Sequence, residues 1–279
     1  DTMNWIIEPL NYAFMQRSLA AALIVGAVCS IIGCYVVLKS MAFVGDAMAH
    51  AILPGVAVAY LLQGNLMIGA LVTAVIVALG IGYFSKEGTI KEDTVIGIVF
   101  SFALALGVML ISSIRSYAVD LSHILFGNLL GVSVQDLWIT GILAGVVIVT
   151  ILALYKPFLV LSFDPILAAT LRLPTTLLRY TLLILLSLTI VVSIQSVGVG
   201  LVAAMLVTPA ATAYLLARRL PVMMALSVLF GAVSSLVGLY ISYYANVASG
   251  AGIVLTATLI FLIVFLVSPR RLKVNYWRK

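Results

Sequence analysis

Asp46 and His50 stand four residues apart in Gly45-Asp46-Ala47-Met48-Ala49-His50-Ala51-Ile52-Leu53-Pro54-Gly55. They lie inside an apolar run of a 279-residue chain that is 64% hydrophobic and 9% charged. On a helix, four residues turn by about 40° and rise by about 6 Å, which brings the carboxylate and the imidazole onto one face. An oxygen donor and a nitrogen donor stacked in this way suit a divalent metal ion. An Asp–His hydrogen bond that ties two helices together is the other reading, and the spacing leaves both open. The other eight acidic residues fall near the termini or in segments that read as loops or helix starts, so Asp46 is the one carboxylate placed deep in apolar sequence. A charge in hydrocarbon costs several kcal/mol unless paired or hydrated, and it marks substrate or ion pathways.

The elements that must position this pair are membrane spans. The composition excludes an ordinary soluble domain, and apolar runs of about 20 residues are long enough to cross a bilayer. Such runs are read at Phe14–Leu38, Met41–Leu62, Leu66–Phe84, Thr94–Ser113, Val134–Leu154, Arg179–Ile194, Val197–Ala217, Val222–Tyr240 and Gly252–Val267. The expected fold is therefore all-α and polytopic with eight or nine transmembrane helices. Eight would apply if the sixth and seventh form one broken hairpin through Gln195-Ser196. Residues 1–279 read as a single transmembrane domain, since no loop is long enough for a soluble catalytic or sensor unit.

Alternating the loops places Lys39, Lys86, Lys91, Lys156, Arg172, Arg179, Arg218, Arg219, Arg270, Arg271, Lys273, Arg278 and Lys279 on one side, leaving only Arg17 and Arg115 opposite. By the excess of Lys and Arg in cytoplasmic loops, the N-terminus is expected outside and the C-terminus in the cytoplasm. The net charge of +6 is then a topology signal, with anionic lipid headgroups as partners of the basic tail, and does not point to nucleic acid. No charged, apolar and cleavage-site pattern of a removed signal peptide opens the sequence. Cys29 and Cys34 share the first span but face different ways, so they read as small packing residues rather than a disulfide.

No phosphate-binding loop is present. The nearest match, Gly33 through Lys39-Ser40, carries Leu38 in place of the second glycine. ATP, if used, must be bound by another chain. Two segments on the basic side look built to receive one. Phe163 to Pro174 reads as a short helix with Asp164 as N-cap, Pro165 in its first turn and Arg172 near its end. Pro209 to Pro221 leaves the membrane at Arg218-Arg219. For both, a basic loop meeting lipid headgroups is the plainer reading.

Four blocks carry a family resemblance: Val37 to Ala57, Asp93-Thr94-Val95-Ile96-Gly97-Ile98, Leu125 to Val132, and Val197 to Arg219. In them the sequence resembles the membrane permease subunits of ABC importers for manganese, zinc and ferrous iron, the ABC-3 family, and most of all the manganese permeases. The resemblance implies a homodimeric or closely paired permease with ATPase subunits below and an extracytoplasmic metal-binding protein above. The permease itself would be non-catalytic and would bind no cofactor of its own. Where the family often has glycine before the Leu-Pro that closes the cytoplasmic helix, this chain has Arg172.

The residue-level reading fits that resemblance. A continuous helix from Lys39 would carry Asp46 about 10 Å and His50 about 15 Å into a hydrocarbon core of about 30 Å. Two copies across a dyad would offer two carboxylates and two neutral imidazoles to one divalent cation, with no net charge left to desolvate. Pro54 has no N–H for the carbonyl of His50, so a kink or an extra oxygen ligand is expected there. Pro209 does the same for Met205, with flexing during alternating access as the expectation. His123, in the outer loop, reads as a surface or capping residue or as a receiver of metal. Gly127-x-x-x-Gly131 and Gly141-x-x-x-Gly145 read as sites of close helix packing. Zinc, manganese and ferrous iron all suit the donor set, with manganese favoured by the resemblance. An ion-coupled secondary transporter is the rival class, but it predicts a paired broken-helix repeat and no second Gly-Asp-x-x-x-His is present.

Overall fold

Uniformly apolar runs in lipid must bond their backbone groups internally, so they fold as helices. The computed structural model describes residues 8–85, 92–112 and 129–268, and among these every regular element is helical. In chain order they are α1 (Ala13–Leu38), α2 (Val44–Ala51), α3 (Leu53–Leu61), α4 (Leu66–Phe84), α5 (Glu92–Ser112), α6 (Val134–Ala153), α7 (Tyr155–Phe163), α8 (Pro165–Thr170), α9 (Thr175–Val197), α10 (Val199–Leu216), α11 (Leu220–Ala245) and α12 (Ser249–Val267). Among the described residues, eight spans are long and apolar enough to cross a membrane, with α2 and α3 counting together as one; α10 contains a shorter apolar helix, Gly200–Leu216.

Local chemistry sets the ends. Asn65 caps α4 by accepting from the N–H groups of Met67 at 2.8 Å and Ile68 at 3.3 Å. Ser133 and Asp136 form a reciprocal capping box at the start of α6. Between α9 and α10 the chain reverses at Gly198, whose φ of 86° suits glycine. The turn falls three residues later than the Gln195-Ser196 link read from the sequence, and α9 begins before Arg179.

The core is built around α1, which packs against α11, α10, α6 and α9. Its inward positions are small, including Ala21, Ala22, Gly26, Ser30 and Gly33, so neighbouring backbones come close. Hydroxyls from α11 complete the contact: Ser227 donates to the Ser30 carbonyl at 3.1 Å and Ser235 to that of Ala22 at 3.3 Å. Cys29 and Cys34 are free and buried; the Cys34 thiol donates back to Ser30 at 3.2 Å.

The Gly141-x-x-x-Gly145 expectation needs correction. No atom of another helix comes within 4 Å of a Cβ placed at either glycine, and α6 presents Trp138, Ile142 and Val149 outward. Spacing identifies a smooth helix surface but not whether a partner covers it. The close approaches occur elsewhere, at Gly33 against the carbonyl of Leu206 and at Gly55 against Gly69. Lys86, Lys91, Arg115, His123, Gly127 and the basic residues of the tail lie outside the described residues.

Candidate metal site

The helix that carries the pair is short because its neighbours in sequence break it. Ser40 adopts φ 57° and turns the chain after α1, and α2 starts only at Val44. Pro54 has no N–H to continue the bonding, and regular helix is interrupted for one residue at Ile52, between α2 and α3. The Ser40 turn has a second effect: Asp46 is the third and His50 the seventh residue of the 18-residue span Val44–Leu61. Along the span the pair therefore lies nearer its Lys39 end than an unbroken helix from Lys39 would put it.

One face of α2 is locked in place. Val44, Ala47, Met48 and Ala51 are buried, Gly45 lies under the side chain of Leu206 on α10, and Ser187 of α9 reaches the Met48 sulfur at 3.6 Å. The opposite face carries Asp46 and His50, whose side chains remain 48% and 31% exposed in a span otherwise largely enclosed. His50 Nε2 stands 3.7 Å from Asp46 Oδ1. That is too long for a hydrogen bond, and both residues are on one helix, so the pair does not tie two helices together. It is short enough for one ion to touch both, because metal–ligand bonds of about 2.1 Å span separations up to about 4 Å. Among the described residues no group of three or more His, Cys, Asp and Glu gathers in a metal-holding cluster.

Two features of the surroundings were not visible in the sequence. Phe100 of α5 lies 6.3 Å from the His50 ring and meets Phe43 edge-on at 5.7 Å. At the Lys39 end, Glu92 opens α5 between two cations, Lys39 Nζ at 3.6 Å and Arg179 Nε at 3.8 Å. Arg179 also donates to the carbonyl of Ser85 at 2.9 Å. The cluster joins the ends of α1, α4, α5 and α9. Burial pushes the Lys39 ammonium below its ordinary value, and the Glu92 carboxylate pulls it part of the way back. Each of these residues carried a helix-start or topology signal, but nothing in the sequence tells which distant charges meet.

The remaining sequence-predicted residues lie apart from Asp46 and His50, in connections on the Lys39 side. Asp164 caps α8, accepting from Ile166 at 3.0 Å and Leu167 at 2.9 Å, as its position before Pro165 predicts. Arg172 sits at φ 56°. Its N–H bonds back to Ala169 and that of Leu173 to Ala168, which is the Schellman closure that normally takes glycine. Ile166, Leu167 and Leu171 of this segment are exposed. Arg218 and Arg219 are exposed between α10 and α11. Pro209 lies inside α10, which continues through it. A separate apolar groove of about 910 Å³ runs between α3, α4 and α5, lined by Val72, Ile76 and Phe102 among others; its apolar lining offers no metal chemistry.

The fold is that of a polytopic membrane protein, and the comparisons with known proteins identify its family. Residues 11–268 match the ABC 3 transport family, and the chain belongs to that family. It is a multi-pass membrane permease of the ABC type. The chain is 48% identical over 270 residues to the manganese transport system membrane protein MntC of Halalkalibacterium halodurans, covering 96% of this chain and 92% of that protein. It is 43% identical to the chelated iron transport system membrane protein YfeD of Yersinia pestis, covering 92% and 86%. Among solved structures it resembles a chain of PsaBC from Streptococcus pneumoniae in complex with Fab, with a TM-score of 0.85, 43% identity and coverage of 99% and 100%.

Proposed function

We propose that this chain is the permease of an ATP-driven importer of divalent transition-metal ions, with manganese as the favoured cargo and zinc or ferrous iron within the chemistry of the site. The observation that carries the proposal is the open face of α2, where Asp46 and His50 stand 3.7 Å apart in a span whose other faces are packed. A carboxylate and an imidazole on the open face of a membrane span are costly unless a cation or water is their partner. One chain supplies two donors and a divalent ion takes four to six. Two copies meeting at this face would supply two carboxylates and two imidazoles, leaving no net charge when one divalent cation is bound.

The names of the relatives support manganese first, since MntC is described as a manganese transport protein, with iron as the neighbouring cargo. The basic side, carrying Lys39, Lys156, Arg172, Arg179, Arg218 and Arg219, is the cytoplasmic side by the excess of positive charge. There the apolar residues Ile166, Leu167 and Leu171, with Arg172, Arg218 and Arg219, form the surface for a separate ATPase subunit, and Asp164 fixes the helix that presents them. A metal-binding protein would deliver the ion at the opposite end. ATP hydrolysis belongs to the partner, not to this chain.

The test is metal accumulation by cells or vesicles carrying the complete transporter. Asp46→Ala and His50→Ala should each abolish uptake while membrane insertion and assembly with the ATPase persist. Normal uptake in both variants would remove the basis of the proposal.

A further inference from the structure

Two aromatic rings separate the Asp46–His50 pair from the charged cluster of Lys39, Glu92 and Arg179: Phe43 lies between Lys39 and Asp46 along the chain, and Phe100 of α5 packs against it and against His50. Phe43 precedes Asp46 by three residues, and the Ala47 N–H bonds to its carbonyl at 3.0 Å, so it sits one helical turn nearer Lys39. Its ring is 44% exposed, open to the same side of the chain as the Asp46 carboxylate. Phe100, on α5, touches both ends of this short column: its ring is 6.3 Å from the imidazole of His50 and 5.7 Å from Phe43, nearly perpendicular at 85°. The start of α5 is in turn tied to Lys39 and Arg179 through Glu92.

We propose that Phe43 and Phe100 form the barrier that closes the translocation path between the Asp46–His50 pair and the cytoplasm. The inference rests on the reading of that pair as a metal site shared by two copies. An ion released toward Lys39 first meets aromatic carbon, which offers no oxygen donor to replace its water. Two copies would place four rings around the axis. Apolar constrictions of this kind stop ions by dewetting, because a divalent cation cannot shed its hydration shell against them. The barrier opens when α5 moves against α2, which separates Phe100 from Phe43. The Glu92 cluster at the start of α5 is where such a movement would be transmitted from the cytoplasmic side.

The test is passive entry of Mn2+ into vesicles holding the permease with its ATPase partner, a metal-quenched dye inside and no ATP. Phe43→Ala with Phe100→Ala should raise entry over wild type by about tenfold or more, tenfold corresponding to a barrier lowered by about 1.4 kcal/mol. Phe43→Leu with Phe100→Leu keeps apolar bulk and should stay at the wild-type rate. Entry at the wild-type rate in the assembled double-alanine variant would overturn the proposal, as would an equal leak in the leucine variant. If the double-alanine variant does not assemble, Phe43→Ala alone decides in the same way, since its exposed ring can be truncated without opening the core. Failure of the metal-site reading is seen separately, as normal ATP-driven uptake in Asp46→Ala.

Discussion

Leu206 is pressed by two glycines through two different kinds of atom, and the difference predicts opposite outcomes for the same substitution. A Cβ on Gly45, beside Asp46, would lie 3.0 Å from Leu206 Cδ2, the flexible end of a side chain. A Cβ on Gly33 would collide with the Leu206 carbonyl oxygen and lie 2.9 Å from its carbonyl carbon. Ordinary carbon contacts are about 3.5–4.0 Å. Gly→Ala inside a helix gains about 1 kcal/mol of propensity. At Gly45 the tight contact consumes much of that gain, so the single change should be close to neutral. Trimming Leu206→Val costs about 1 kcal/mol alone but frees the space, so the Gly45/Leu206 double-mutant cycle should show a favourable coupling of about 1 kcal/mol. At Gly33 two backbones must separate, costing about 2 kcal/mol net, and Leu206→Val cannot relieve it because the carbonyl is unchanged. The assay is the thermal stability of the solubilised permease, followed by size-exclusion fluorescence for the three single and two double variants. Recovery of Gly33→Ala by Leu206→Val, or no coupling in the Gly45 cycle, would refute the packing described.

Arg172→Gly should stabilise the chain by about 1 kcal/mol, because a non-glycine residue in the left-handed region costs about 1–2 kcal/mol and glycine returns part of that gain as unfolded-state entropy; a lower melting temperature would count against the Schellman closure. Glu92→Gln should destabilise by roughly 1–3 kcal/mol by leaving Lys39 and Arg179 without their counter-charge, with partial recovery when combined with Lys39→Met. Lys39 is already below its ordinary value and loses its only raising neighbour in that variant. The unfolded chain then binds more protons in the alkaline range just below the ordinary lysine value. Glu92→Gln should therefore regain stability as pH rises through that range, more steeply than the wild type; a melting temperature that is flat or falling relative to wild type would contradict this. Arg218→Glu with Arg219→Glu should weaken capture of the ATPase or uncouple hydrolysis from uptake, whereas unchanged assembly and transport would return these residues to a lipid-headgroup role.

The parts of this structure that a local pattern encodes were readable in advance. Apolar length gives the spans, the Asp164-Pro165 pair gives the cap of α8, and the four-residue offset gives the shared face of Asp46 and His50. Arg172 was marked as a departure by resemblance, and its φ of 56° supplies the reason that glycine is usual there. What could not be read is which distant residues meet. Phe100 looks like any aromatic in an apolar run, and its place against His50 follows from how α5 packs on α2. Glu92 looks like an ordinary acidic helix start, and only the tertiary fold brings Lys39 and Arg179 to it. The glycine pair in α6 failed for the same reason: a small-residue motif allows close packing but does not supply the partner. The Ser40 turn shifted Asp46 and His50 along their span because a left-handed residue other than glycine leaves little trace in sequence.

The central claim is that Asp46 and His50 of two chains hold one divalent ion. Equilibrium titration of the purified permease with Mn2+ measures it most directly. One ion should bind per two chains. Binding should be lost in Asp46→Ala and in His50→Ala, and weakened in Asp46→Asn, which keeps the shape but leaves excess positive charge in the site. Affinity should also fall on acidification, since protons compete with metal for the imidazole. One ion per chain, or an affinity unaffected by both alanine variants, would contradict the account.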